Sequence, residues 1–277
     1  MRTRNGWRAG YIERCTSGSE GGSRKPAVAI QQGGGFLPYK TTSTINLAYG
    51  LARAKYRVLV IDSDAQSNST YSLLGRLDSE NTLADVLFSN ARLADVIVGT
   101  KQPGLYLVPS SIDMSAADLI MASAPGRELK IKRALAPVIS QFDYILIDTP
   151  PNLGVLTVNA FIACTHVIIP VALTTYALIG ISILERTMQE LRDNLDVTLP
   201  IFGVIGTLDD HTRMSSEVLT AIREHFGKLV FDTVIPRNIK IEEAHNQIAS
   251  IYDYAPTSTG AQAYAKLTEE VIKRAKR

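Results

Sequence analysis

Val58-Leu59-Val60-Ile61-Asp62-Ser63-Asp64 is an apolar run without alternation, closed by two carboxylates two positions apart. A strand with one wet face alternates apolar and polar side chains, whereas a strand covered on both faces does not. The run therefore predicts a buried strand of a mostly parallel sheet. The same shape recurs at Tyr144-Ile145-Leu146-Ile147-Asp148. Working outward, further strands are read at 27–31, 105–109, 166–171, 201–207 and 233–235, with the first two runs spanning 57–62 and 144–148. Helical patterns lie between them at 41–54, 154–163, 177–194, 215–226 and 260–276. This alternation predicts a doubly wound α/β fold, folded as a single domain over 26–277. In such sheets ligands bind beyond the carboxyl ends of the strands, which is where these acidic residues fall.

The bulk numbers allow this and exclude other classes. A chain of 277 residues, 45% hydrophobic and 20% charged, can bury a substantial core. A net charge of +2 points neither toward nor away from a polyanion, so any nucleic-acid contact has to come from a local patch. Two cysteines, Cys15 and Cys164, make neither a disulfide framework nor a zinc motif, and a reducing, cytoplasmic setting is expected. No apolar run approaches the length of a membrane span. Residues 1–25 carry six basic residues and a Ser/Gly-rich stretch at 17–23, without the apolar core of a secretory signal. They read as a flexible basic N-terminal tail, either a bare linker or a functional basic arm.

Three loops carry the chemistry. Gln31-Gln32-Gly33-Gly34-Gly35-Phe36-Leu37-Pro38-Tyr39-Lys40-Thr41-Thr42 joins the first strand to the first helix. Gly33, Gly34 and Gly35 let successive backbone N–H groups turn inward on a phosphate; Lys40 supplies a cation and Thr41 a hydroxyl at the helix start. Counted from Gly34 the usual phosphate-loop pattern fits, except that Tyr39 occupies the second glycine position and cannot easily take positive φ. By itself this stretch is equally a glycine-rich turn before a helix. In the second loop, Asp62 and Asp64 are costly at a buried strand end unless they meet a cation, water or helix terminus; turn-forming and capping aspartates are the alternative reading. In the third, Asp148-Thr149-Pro150-Pro151 ends an apolar strand in the Walker B manner.

Together with Ile45-Asn46-Leu47-Ala48, Val234-Ile235-Pro236-Arg237-Asn238 and Gly260-Ala261-Gln262-Ala263-Tyr264, these loops resemble the deviant Walker A ATPases of the ParA/Soj/MinD class, within it the ParA/Soj partition branch. The resemblance spans 27–273. It implies a P-loop NTPase fold binding ATP and Mg²⁺, a nucleotide-driven homodimer that binds DNA without sequence preference, and hydrolysis stimulated by a ParB-like adaptor on a cargo. By position it gives Lys40 to the β/γ-phosphates, Thr41 to Mg²⁺ and Thr42 to the α-phosphate. Asp64 positions the attacking water, Asp62 and Asp148 tune the Mg²⁺ shell, and Pro236, Arg237 and Asn238 line the adenine. DNA contacts fall at His211, Arg213 and Lys240, with the basic end Lys273, Arg274, Lys276 and Arg277 either adding to the patch or simply ending a helix. The implied protein is cytoplasmic and nucleoid-associated.

Two departures stand out. The family's second lysine, early in the phosphate loop, is missing: Gln32 or Gly35 stands there, depending on the anchor. A lost charge-assisted contact of that kind is worth about 1.5–3 kcal/mol. The loop around Ala172, Thr174 and Ile179 lacks the family's Gln and acidic residues near the dimer face. The alternative function is therefore a non-hydrolysing DNA-binding or scaffold protein on the same fold. Ala263, Leu267, Val271 and Ile272 read as a stripe packing on the sheet, which predicts no stable membrane association. Cys164 reads as core rather than as an iron–sulfur ligand.

Overall fold

The computed structural model describes residues 27–30, 39–174 and 177–276. Seven strands form one sheet: β1 (Ala27–Ile30), β2 (Val58–Asp62), β3 (Val98–Gly99), β4 (Leu105–Val108), β5 (Tyr144–Asp148), β6 (His166–Ala172) and β7 (Ile201–Thr207). Their order is β3-β4-β2-β5-β1-β6-β7, parallel throughout except for the antiparallel edge pair β3–β4. From β1 the chain runs first to one side of the sheet and later to the other, so the carboxyl ends of β1, β2 and β5 border the crevice where such folds take ligands.

The unalternated runs are explained by cover on both faces. Val58 and Val60 enter one core with Leu146 and Ile168, while Leu59 and Ile61 enter a second core with Ile145 and Ile147. Helix α1 (Tyr39–Arg53) is buried at every position from Tyr39 to Ala52. Its partners are β2, β5, the next helix in the chain and a long C-terminal helix, with Gly50 letting that last helix approach: a Cβ there would lie 2.2 Å from the Thr268 hydroxyl. The other helices that matter below are α2 (Asn68–Leu74), α3 (Val155–Ala163), α4 (Ala177–Leu195), α5 (Arg213–Phe226), α6 (Ile239–Asn246) and α7 (Thr259–Ala275). Thr212, Asn238 and Ser258 cap α5, α6 and α7, each side chain accepting a backbone N–H.

On α7, Ala263, Leu267 and Val271 are core residues, and Ile272 packs against the same core, so the apolar stripe faces the protein. Among the described residues no helix is long and apolar enough to cross a membrane.

The fold departs from the sequence pattern in several places, among them the unexpected edge strand β3, helix α6 and a short helix at Ile251–Tyr254. The expected strand at 233–235 is instead a segment bonded to β7 at widely spaced points. Phe231 N–H donates to Val204, Ile235 N–H to Gly206 and Arg237 N–H to Asp209. Pro236 has no N–H to give, and the bridges stay isolated. Between β2 and β5 five helices of four to seven residues appear where no helical period was visible. Elements this short span too few turns to display a 3.6-residue repeat.

Candidate phosphate and metal site

Asp62 and Asp148 are neighbours in the β2–β5 register and both are fully buried. Their carboxyls meet two helices and the loop after β2. Thr41, at the start of α1, donates its hydroxyl to Asp148 Oδ2 at 2.8 Å, and Ser69 on α2 donates to the same oxygen at 2.8 Å. Lys40 Nζ lies 3.6 Å from Asp148 Oδ1 and 3.8 Å from Asp64 Oδ2. Asp62 accepts from Thr70 N–H at 2.8 Å, the Thr70 hydroxyl at 2.7 Å and Asp64 N–H at 3.2 Å. The Thr70 hydroxyl in turn accepts from Ser110 N–H, and Ser63 ties β2 to Asp148 O through its N–H and its hydroxyl.

Three hydrogen bonds do not offset the cost of burial at Asp62. Desolvation, with Asp148 beside it, pushes its carboxyl up to about 7. Asp148 is also raised, by burial, against the opposing pull of Lys40. Lys40 stands beside Asp148, whereas among the described residues no cation pairs with Asp62. A site so built favours an added cation. Asp148 Oδ1 is buried with no hydrogen-bond partner, and the Thr41 hydroxyl is on the same carboxylate. Among the described residues no cluster of three or more His, Cys, Asp or Glu is arranged for a metal. One or two carboxylates and a hydroxyl fit Mg²⁺, which takes its remaining ligands from water and phosphate.

Lys40, Thr41, Thr42, Asp62, Asp64 and Asp148 are thus gathered at one end of the sheet, all buried. Gly33, Gly34, Gly35 and Gln32 lie outside the described residues, as does the tail at 1–25. Tyr39 needs no positive φ, because α1 begins at it, one residue ahead of Lys40. Its ring is buried, its phenol lies 3.5 Å from Glu242 Oε1 on α6, and burial together with Glu242 raises its pKa to about 12.

Pro236, Arg237 and Asn238 form the approach to α6. Arg237 N–H donates to Asp209 O at 2.8 Å. The Asn238 amide is spent on the fold: its oxygen caps Lys240 N–H and its nitrogen donates to Thr259 Oγ1 at 2.7 Å. Thr207, two residues before Asp209, ends β7 with a buried hydroxyl that has no hydrogen-bond partner.

His211, Arg213 and Lys240 are exposed, and each meets a carboxylate: Asp209 at 3.1 Å, Glu217 at 2.8 Å and Glu243 at 2.8 Å respectively. Arg274 is not a free helix-end cation. Its guanidinium stacks on Phe231 at 4.0 Å and donates to the carbonyls of Phe202 and Leu229. Cys164 follows α3 in contact with two apolar cores, its thiol pushed well up by burial. Sequence reading missed Ser69, Thr70 and Ser72; the available signal was a hydroxyl-rich turn, Ser67-Asn68-Ser69-Thr70, directly after Asp62-Ser63-Asp64.

With this geometry in place, relatives are informative. A family model described as an AAA domain matches residues 24–201. The chromosome partitioning protein ParA of Caulobacter vibrioides is 39% identical over 252 residues, which is 90% of this chain and 93% of that protein. The sporulation initiation inhibitor protein Soj of Bacillus subtilis is 38% identical over 247 residues, 88% of this chain and 96% of that one. A solved structure, cobyrinic acid a,c-diamide synthase from Mycobacterium smegmatis with bound ATP analogue and magnesium, matches with a TM-score of 0.78 at 28% identity, covering 90% of this chain and 94% of that one. Identity of 38–39% to the ParA and Soj proteins over about nine-tenths of the chain, with the AAA-domain match over residues 24–201, places the chain in the ParA/Soj/MinD family of P-loop ATPases, on its partition-type branch.

Proposed function

We propose that the chain is an ATP-driven switch for partition or cargo positioning. It binds Mg²⁺–ATP, pairs with a second copy, holds DNA without sequence preference, and hydrolyses ATP when a ParB-like adaptor engages it. The observation that carries this reading is the convergence of Lys40, Thr41, Asp62, Asp64 and Asp148 on one crevice, with Asp148 Oδ1 buried at its centre, beside Lys40 and without a hydrogen bond.

Thr41 and Asp148 would hold Mg²⁺, with Asp62 behind them. The ion supplies positive charge where the β- and γ-phosphates gather negative charge. The chain's own residues do the rest. Lys40 exchanges its two carboxylate partners for phosphate oxygens. Asp64, released from Lys40 and only slightly exposed, orients the attacking water. Thr42 caps the α-phosphate from the first turn of α1, where the helix dipole favours an anion.

Pairing is supported by Leu153, Ile179 and Ile183, large apolar side chains exposed on α4 and the turn before α3. For DNA, His211, Arg213 and Lys240 supply the cations, and phosphate has to replace Asp209, Glu217 and Glu243 as their partner. The protein would act in the cytoplasm on the nucleoid.

Turnover measured with DNA and the adaptor tests the reading. The unmodified chain hydrolyses ATP, and Asp64→Ala lowers the rate by about 100-fold or more while ATP still binds. Calorimetry showing no ATP binding ends the switch reading. ATP binding without turnover, together with DNA affinity that ignores nucleotide, would establish the non-hydrolysing scaffold instead.

A further inference from the structure

Helix α6 bears Lys240 on its exposed side and is attached to the phosphate and metal site at two separate points. The first is Tyr39, the residue before Lys40, whose phenol reaches Glu242 at 3.5 Å. The second is Ser72 on α2. Its hydroxyl donates to Asn68 O at 2.8 Å, which commits its one proton and leaves its lone pairs to the His245 imidazole, Nδ1 at 3.1 Å. Glu242 and His245 are three residues apart, so both attachments leave α6 from neighbouring positions on one face.

The same spacing operates on α2. Ser69 and Ser72 are three residues apart; Ser69 bonds Asp148 and Ser72 meets His245. Gly75, which ends α2, lies under the Ile248 side chain just beyond α6. Ile241 and Ala244 fix the body of α6 in the core that also contains α1. Its N-terminus is capped by Asn238. One short helix therefore touches the lysine end of the site through α1 and the carboxylate end through α2.

Resting on the function proposed above, we infer that Tyr39 and Ser72 are positioning residues that transmit occupancy of the nucleotide site to α6, and through it to the surface around Lys240. When Lys40 leaves Asp64 and Asp148 for a phosphate, the start of α1 and the hydrogen bonds on Asp148 are both redrawn. Tyr39–Glu242 and Ser72–His245 are the direct side-chain links from those two places to one element. The pathway is local, with each step a named contact, and its effect is a coupling between two ligands of the kind that must be reciprocal.

The test is amide hydrogen exchange over 239–246 with and without Mg²⁺–ATP, with ATP affinity measured alongside by calorimetry. In the unmodified chain ATP slows exchange there by about tenfold; in Tyr39→Phe/Ser72→Ala it slows it by less than about threefold, although ATP still binds. His245→Gln keeps an N–H donor for Ser72 and retains the protection, whereas His245→Leu loses it. A general loosening of the fold would not separate those two variants. Equal ATP-induced protection in the unmodified chain and the double variant overturns the coupling, as does identical behaviour of His245→Gln and His245→Leu. Failure of the unmodified chain to bind ATP is a different result: it removes the function reading and the coupling with it.

Discussion

The chain places positive and negative groups together in two regions, and handles them in opposite ways. At the sheet end, Asp62, Asp148, Lys40, Thr41, Ser69 and Thr70 are buried and tied across four elements, α1, β2, α2 and β5. At the basic surface, Arg213 pairs with Glu217 and Lys240 with Glu243, each within one turn of its own helix, in open solvent. Buried charges are dear to desolvate and cannot rearrange without a replacement cation or anion; exposed pairs exchange partners at little cost. The first region is built to register the arrival of a ligand, and the second is built to be competed away by one. Mutations should therefore act strongly and with a pH signature in the first, weakly and with a salt signature in the second.

The largest expected effect lies at Asp62. Its carboxyl titrates near 3.8 when exposed and is raised to about 7 in the fold. Between those values the unfolded chain has already released the proton that the folded chain keeps, so nucleotide-free stability falls as pH rises from about 4 to about 7 and is flat above, with a slope of at most about 1.4 kcal/mol per pH unit. Asp62→Asn removes the part of that slope that Asp62 contributes, leaving what the raised Asp148 adds. Thermal melts in the absence of nucleotide should show the variant gaining on the unmodified chain across this window, and Mg²⁺–ATP should flatten the unmodified chain too. Parallel pH profiles for the two chains would mean that the pair is not proton-loaded, and the comparison between buried and exposed charge would lose its first half.

A smaller effect is expected at Ser69, whose hydroxyl orients Asp148 without being a ligand candidate itself. Ser69→Ala leaves the carboxylate with Thr41 and Lys40 and should raise the Mg²⁺ concentration for half-maximal ATP turnover by about tenfold, with little change at saturating metal. A loss of maximal rate at every Mg²⁺ concentration would instead assign Ser69 to the chemistry.

How much of this was legible beforehand follows the same division. The sheet could be read because strands covered on both faces lose alternation, and Asp62, Asp64 and Asp148 stood out because a carboxylate at the end of such a run is expensive. The hydroxyls that hold them were not legible. Ser69 and Thr70 look like any polar turn until β5 is placed beside β2 and α2 is folded over their ends. Arg274 misled for the same reason: among basic residues at a helix end it reads as solvated, and only the fold brings Phe231 and Phe202 beneath it. By contrast the pairings that weaken the basic surface are local, Arg213–Glu217 at four residues and Lys240–Glu243 at three, and spacing alone carries them.

The smallest effect belongs to that surface, and it tests whether local pairing restrains DNA binding. Glu243 Oε2 accepts from both Lys240 Nζ at 2.8 Å and the Tyr254 phenol at 2.9 Å, so the lysine is held beside an acid that is itself held in place. A phosphate that takes Lys240 has to displace this partner and then sit next to its charge. Glu243→Gln removes the competitor and the repulsion while keeping an acceptor for Tyr254, and should tighten nucleotide-loaded protein on DNA by no more than about fivefold. Lys240→Gln should lower the dependence of log affinity on log salt by about 0.9. In that background the Glu243→Gln gain should shrink to the residual long-range term. An undiminished gain there would show that Glu243 acts through the general field of the surface and not through Lys240, and the restraint would then have to be sought at Glu217 and Asp209.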